Sequence, residues 1–96
     1  MADDAATGGT PTEPHTTRLA RLRMRSWRRG TREMDLILGP FSDAILSELA
    51  PAELDAFEAL LSENDQDLYR WVGSPASAPS AHAAMLGRIR AQRGLS

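Results

Sequence analysis

The residues best suited to bind another molecule lie in one run, RRGTREMD, at positions 28–35 of the 96-residue chain. Guanidinium groups make planar, bidentate contacts with carboxylates and phosphates. A glycine among them lets another backbone approach closely. Glu33 and Asp35 would diverge by about 200° on a helix, so they do not form a carboxylate pair for acid–base catalysis. This run is therefore suited to non-covalent binding of another molecule and not to acid–base catalysis.

Other residue types that carry out catalysis or bind metals are poorly placed. The chain has no cysteine, which excludes disulfides, thiolate nucleophiles and Cys-type zinc sites. His15 and His82 have no acidic neighbours at ligand spacing, and a metal site needs at least three converging ligands. No glycine-rich phosphate loop follows a strand. The sequence predicts a protein that is not an enzyme and that stably binds no cofactor or metal.

The length and composition indicate one small domain with a tail. Residues 1–17 contain few large apolar side chains and are rich in Gly, Pro, Thr and acids, so we expect a disordered N-terminal tail there. They resemble neither a secretory signal nor a mitochondrial presequence. No apolar run approaches the ~20 residues that span a bilayer. We therefore expect a cytoplasmic protein with no membrane partner.

Hydrophobic periodicity predicts an all-α fold, a small bundle of five short helices over residues 18–94. The second helix carries an apolar stripe from Met34 to Ile45, which continues through Gly39-Pro40 and so predicts one kinked helix. Tyr69 and Trp71 are expected in or near the core. The predicted helices are residues 18–28, residues 31–46, a third beginning with Pro51 in its first turn, a short fourth capped by Asp65 and stopped by Gly73, and residues 80–93.

The arginine-rich run leaves three interpretations open. In the first, Gly30 caps the second helix, and Glu33 at the third helical position bonds back to the free backbone N–H groups. The arginines then pair within the chain with the acidic residues of 33–67, of which the following helix is one source. In the second, Gly30 with Arg29 and Glu33 on either side forms a protein-docking corner. The third is nucleic-acid binding, because residues 18–32 contain seven arginines. A net charge of −2 and ten acids without a base in residues 33–67 oppose the third.

Two stretches resemble a known family. The run RRGTREMDLILGPF at 28–41 and the later run LLSENDQDLYRWV at 60–72 are similar to the two signatures of the SdhE-type FAD assembly factors of succinate dehydrogenase. The resemblance covers residues 18–94. Gln66 departs from the pattern, since proline is common at that position.

The resemblance implies a five-helix protein that is not itself an enzyme. It implies binding to the flavoprotein subunit of succinate dehydrogenase, and in some bacteria of fumarate reductase, where the factor promotes covalent attachment of FAD to a histidine. The partner-binding residues carried over are Arg29, Gly30 and Glu33, with Arg28 and Asp35 as neighbours. FAD is then attached to the partner rather than held here. We expect a monomer when free and no nucleic-acid partner.

Overall fold

The computed structural model describes residues 13–94, and within them the prediction of an all-α bundle of five short helices is confirmed. No strand occurs in this part of the chain. Three short 3-10 turns, Leu46–Glu48, Pro75–Ser77 and Ser80–His82, join the longer elements. The helices are α1 His15–Trp27, α2 Arg32–Ile45, α3 Pro51–Leu61, α4 Asp65–Gly73 and α5 Ala83–Gln92.

The first helix begins earlier than predicted. Residues 15–17, assigned to the tail from their composition, form the first turn of α1. Pro14 supplies the extended N-cap conformation with φ −62°, which is close to the value that its ring imposes. Glu13 then forms an ion pair with Arg21 at 2.9 Å. The predicted tail is therefore too long at its C-terminal end, and its residues 1–12 lie outside the described residues.

The apolar stripe of α2 is the centre of the core. Met34, Ile37, Leu38 and Phe41 are all buried, as the spacing predicts. The helix continues through Pro40 to Ile45. Proline has no N–H to donate to the carbonyl one turn earlier, and a guanidinium N–H of Arg93 donates to that carbonyl of Leu36 at 3.4 Å. The end of α5 thus partly satisfies the backbone acceptor that Pro40 leaves open.

Tyr69 is exposed, contrary to the expectation that it packs in or near the core. The buried face of α4 consists of Leu68, Trp71 and Val72, which follow i, i+3, i+4 spacing. Tyr69 lies about 100° around the helix from Leu68 and is 56% exposed. α4 thus buries one face only, and Tyr69 lies outside it.

The arginines of α1 pair chiefly with acids of α3, which lie within the acidic region 33–67, whereas the following helix α2 supplies only Asp43 to Arg23 among the described residues. The Glu58 carboxylate lies 3.1 Å from Arg18, 2.9 Å from Arg21 and 3.8 Å from Arg25. Arg18 also contacts Asp55 at 2.7 Å. Hydrogen bonding from Arg21 outweighs desolvation and lowers the pKa of Glu58 below its ordinary value of 4.5. Glu58 is therefore the carboxylate that joins α1 to α3.

This ion cluster predicts a loss of stability in acid. A carboxyl group whose pKa is lowered by folding contributes stability above its ordinary pKa of 4.5, and the contribution is lost as the pH falls through the folded-state value. We expect Glu58→Gln to lower the Tm at neutral pH and to reduce the further drop in Tm on acidification. Thermal unfolding followed by circular dichroism from about pH 7 to about pH 3 measures both effects.

Glu48→Gln is the control, because Glu48 is exposed and has no ion-pair partner among the described residues. An acid-induced drop in Tm that is as large for Glu58→Gln as for the unaltered chain would contradict the assigned role of Glu58.

Candidate functional site

The chain turns sharply between α1 and α2, and Gly30 lies at the apex of the turn. Its φ of +103° is a conformation that residues with a Cβ rarely adopt. A Cβ built on Gly30 would meet no atom within 4 Å. Glycine is therefore required here by the backbone conformation, and the space above it is open to solvent.

The predicted capping of α2 by Gly30 and Glu33 is wrong. Thr31 is the N-cap residue, and its hydroxyl accepts a hydrogen bond from the Met34 N–H at 3.3 Å. Glu33 consequently occupies the second helical position instead of the third. Threonine is a better N-cap than glycine because its side-chain oxygen binds a free N–H group. Glu33 is exposed, and its carboxylate makes no hydrogen bond or ion pair within residues 13–94.

Arg29 faces inward, although the docking interpretation treated it as an outer anchor. Its side chain is 11% exposed, and its Nε donates to Asp65 Oδ1 at 2.9 Å. The two terminal nitrogens donate to the backbone carbonyls of Leu61 and of Glu63, the latter at 2.6 Å. All three nitrogens of the guanidinium therefore bind acceptors at the junction of α3 and α4.

Asp35 holds the turn from the other side. Its Oδ1 accepts a hydrogen bond from the backbone N–H of Arg29 at 2.7 Å. Arg28, the preceding residue, is exposed. The structure thus brings the five predicted site residues together at one corner: Arg28, Gly30 and Glu33 at its surface, with Arg29 and Asp35 beneath.

Asp65 belongs to the same corner and was assigned only a capping role from the sequence. The cap of α4 is Asn64, whose side chain accepts from the Asp67 N–H at 2.9 Å. The Asp65 carboxylate is thereby available to bind Arg29, and its second oxygen lies 3.4 Å from the Thr31 hydroxyl. Asn64 and Asp65 are both good N-cap residues, so the sequence alone did not show which of them caps the helix.

Two depressions lie on either side of the corner. Each has an exposed apolar side chain at its edge: Leu36, 47% exposed, on the first side and Tyr69 on the second. Sequence reasoning did not identify either of them as part of a surface site. The first depression, of about 540 Å³, is lined by Trp27, Arg28, Gly30, Thr31, Arg32, Asp35 and Leu36. The second, of about 270 Å³, is lined by Thr31, Glu33, Met34, Asp65, Gln66 and Tyr69.

The two histidines lie apart from this corner. The His82 ring is buried, with its Nε2 at 2.8 Å from Glu63 Oε2 and its centroid 5.6 Å from that of the Trp71 ring. His15 is exposed in the first turn of α1. Within residues 13–94, no three side chains of the types that bind metals are grouped as a metal site. No helix in the same range is long and apolar enough to cross a membrane.

A helical bundle that exposes a charged turn between two apolar-edged depressions has the kind of surface that is typical of small protein-binding modules. The chain matches the family model described as "Flavinator of succinate dehydrogenase" over residues 20–93, and it belongs to that family. The match spans every helix from within α1 to the end of α5. The resemblance stated from the two sequence signatures is confirmed.

Bacterial and fungal relatives agree with this assignment. The chain is 44% identical over 63 residues to "FAD assembly factor SdhE" of Aliivibrio fischeri, covering 65% of this chain and 73% of that protein. It is 42% identical over 65 residues to the protein of the same name from Haemophilus ducreyi, covering 67% and 79%. "Succinate dehydrogenase assembly factor 2, mitochondrial" of Mycosarcoma maydis is 43% identical over 63 residues, which are 66% of this chain but only 26% of the fungal protein.

The internal bonds of Arg29 predict a stability effect at the motif itself. Lysine carries a single ammonium group that does not reproduce the three-way planar contact. We expect Arg29→Lys to lower the free energy of unfolding by about 2–4 kcal/mol, because it leaves the carboxylate or the carbonyls of the α3–α4 junction unpaired. Urea unfolding measures the change.

Arg88→Lys is the matched control, since Arg88 makes one exposed ion pair, with Glu53 at 2.7 Å, and such pairs contribute about 0–1 kcal/mol. Equal losses in the two variants would show that the guanidinium geometry at position 29 is not required.

Proposed function

We propose that this chain binds the flavoprotein subunit of succinate dehydrogenase through the Arg28–Asp35 corner and thereby promotes covalent attachment of FAD to that subunit. Its family and the names of its relatives support a role as an assembly factor in succinate dehydrogenase flavinylation. The observation that carries the choice of surface is the open space above Gly30, with an exposed depression on each side. A second backbone can approach this apex more closely than it can approach a residue with a side chain.

Under this proposal, each residue of the motif has a separate role in docking. Gly30 provides close approach, and the exposed carboxylate of Glu33 is available to a cationic group of the partner. Arg29 is a positioning residue, because its guanidinium fixes the α3–α4 junction beneath the turn. Asp35 fixes the turn itself through the Arg29 N–H. The contact surface is thus formed before the partner arrives, which lowers the entropy cost of binding.

The proposed mechanism is conformational. Attachment of the flavin requires the partner's histidine and the flavin to be aligned, and the reacting groups belong to the flavoprotein. This chain acts by binding more tightly to the flavoprotein conformation in which they are aligned, and so shifts the population toward it. It needs no catalytic side chain of its own for this role. The names of the relatives as assembly factors support a function that is not enzymatic.

Several properties remain predictions. A monomeric state when free, the absence of a stably bound cofactor and a cytoplasmic location are expected from the sequence. The relatives include both bacterial proteins and proteins named as mitochondrial, so the compartment differs within the group. Fumarate reductase is a second proposed client, because the resemblance implies it for some bacteria.

Nucleic-acid binding is the less favoured alternative. It was suggested by the arginines of residues 18–32, but Arg18, Arg21 and Arg25 converge on Glu58. These three cations are therefore not arranged as an open row for phosphates. A gel shift at low and moderate salt tests the alternative directly.

Blocking the apex is the sharpest test of the proposed surface. Gly30→Arg places a long side chain in the open space where the partner would approach, so we expect covalent flavin in the partner to fall at least about tenfold, a loss of about 1.4 kcal/mol or more in binding. Flavin fluorescence of the flavoprotein band after denaturing electrophoresis measures the product.

Gly87→Arg is the matched control, because Gly87 is exposed on α5 and a Cβ there also meets nothing within 4 Å. The positive φ at position 30 adds a backbone strain of about 1–2 kcal/mol, so Glu33→Ala is tested alongside as a variant without that strain. Undiminished flavinylation with folded Gly30→Arg and Glu33→Ala proteins would reject the surface.

A further inference from the structure

Arg32 occupies a position that is unfavourable for the stability of its own helix. It is the first residue of α2, where the free N–H groups make the helix end positive. A cation there is destabilising by about 0.3–1 kcal/mol, whereas the acids that follow it are favoured. Arg32 is exposed and makes no ion pair or side-chain hydrogen bond with any described residue. Folding alone therefore does not explain an arginine at this position.

The arginines of residues 18–32 form two groups, those that have an ion-pair partner among the described residues and those that do not. Five of the seven lie within ion-pair distance of a carboxylate in the described chain, whereas Arg28 and Arg32 do not. These two flank Gly30 in the sequence, and both line the first depression. The five paired members are Arg18, Arg21, Arg23, Arg25 and Arg29.

The same depression has a fixed apolar side. The Trp27 indole lies against the backbone of Gly39 so closely that a Cβ at position 39 would overlap the ring. Its N–H donates to the Asp43 carboxylate at 3.2 Å, which fixes the orientation of the ring. Trp27 is nevertheless 38% exposed, and Leu36 beside the depression is also exposed. Exposed apolar surface next to cations that lack an ion-pair partner is typical of a docking site for a protein segment.

We propose that the depression formed by Trp27, Arg28, Arg32 and Leu36 binds an acidic segment of the flavoprotein subunit, with a carboxylate between the two guanidinium groups and an adjoining apolar side chain against Trp27 and Leu36. This proposal rests on the proposed function and specifies the chemistry of the partner at one side of the corner. Charge complementarity selects the carboxylate, since each guanidinium offers a bidentate contact to it. The apolar surface of Trp27 and Leu36 favours an apolar protein side chain next to the bound carboxylate.

The surrounding acids argue against a polyanion at this place. Asp35 lines the same depression, and Glu33 and Asp65 line the adjoining one. A nucleic-acid backbone or a dinucleotide pyrophosphate laid across the corner would bring phosphates close to these carboxylates, which is repulsive. A peptide segment with one carboxylate near Arg28 and Arg32 meets less of that repulsion than a row of phosphates does, because only Asp35 lines the same depression.

The test exploits the opposite effects that Arg32 has on folding and on docking. We expect Arg32→Gln to raise the Tm by about 2–5 °C, because an unfavourable charge leaves the helix N-terminus. We expect the same change to weaken binding to the cognate flavoprotein subunit by about tenfold and to reduce the dependence of the Kd on salt. Differential scanning fluorimetry gives the first quantity, and isothermal titration calorimetry at low and high salt gives the others.

Arg88→Gln is the control, because it also removes one exposed cation but lies in a separate groove with Phe41 and Ile45. Its affinity for the flavoprotein is expected to stay within about twofold of that of the unaltered chain. A decrease in Tm for Arg32→Gln, or an unchanged Kd and salt dependence, would overturn the inference.

Three further outcomes separate the explanations. Loss of binding by Gly30→Arg with unchanged binding by Arg32→Gln overturns this inference and leaves the proposed function intact. Unchanged binding by both variants rejects both. Retention of free FAD or of single-stranded RNA by the chain, abolished by Arg32→Gln while flavoprotein binding persists, overturns the inference in favour of a phosphate-bearing ligand.

Discussion

The exposed corner depends on one buried guanidinium. Arg29 reaches from the α1–α2 turn to the junction of α3 and α4, where it binds one carboxylate and two backbone carbonyls. The Leu61 carbonyl lies at the end of α3, where helices leave backbone acceptors without an intrahelical partner, and the Glu63 carbonyl lies in the connection between α3 and α4. The Arg29 side chain thus links three places: the end of α3, the first residue of α4, and the turn that precedes α2. Together with the contact of the Thr31 hydroxyl with Asp65, it fixes the turn that carries Gly30 against the start of α4.

This arrangement changes how the Arg-Gly-x-x-Glu motif is understood. From the sequence, Arg29 and Glu33 appeared equivalent, as charges on either side of a glycine. In the structure they have different roles, because Arg29 is almost entirely enclosed and Glu33 is exposed. The motif therefore combines, within five residues, one side chain that stabilises the fold and one whose carboxylate is exposed. Loss of function on changing Arg29 does not by itself demonstrate contact with a partner, since the same change disturbs the surface on which Gly30 and Glu33 lie.

The sequence predicted what periodicity determines and missed what depends on competition between neighbours. The five helices and the buried stripe from Met34 to Phe41 follow directly from 3.6-residue spacing. The caps were misassigned at two places, because Gly30 adjoins Thr31 and Asp65 adjoins Asn64, and each pair offers two acceptable caps. In both cases the residue that does not cap has another use, as the apex of the turn or as the partner of Arg29. Tyr69 was misplaced because its aromatic character suggested burial, whereas its position about 100° from Leu68 places it off the buried face of α4.

The distribution of charge also bears on the proposed docking, because most arginines of α1 are paired within the described chain. Glu58 and Asp55 of α3 form ion pairs with the arginines on the side of α1 that faces α3, so the charges there largely cancel. Arg28, Arg32 and Glu33 have no ion-pair partner among the described residues, and the two arginines lie on one side of Thr31 with Glu33 on the other. A surface with opposite charges on its two sides orients its partner, because a segment docked in the reverse direction meets like charges. Under the proposed function, we therefore expect selectivity to arise from the direction of the partner segment across Gly30, and the arginines paired with α3 to compete little for that segment.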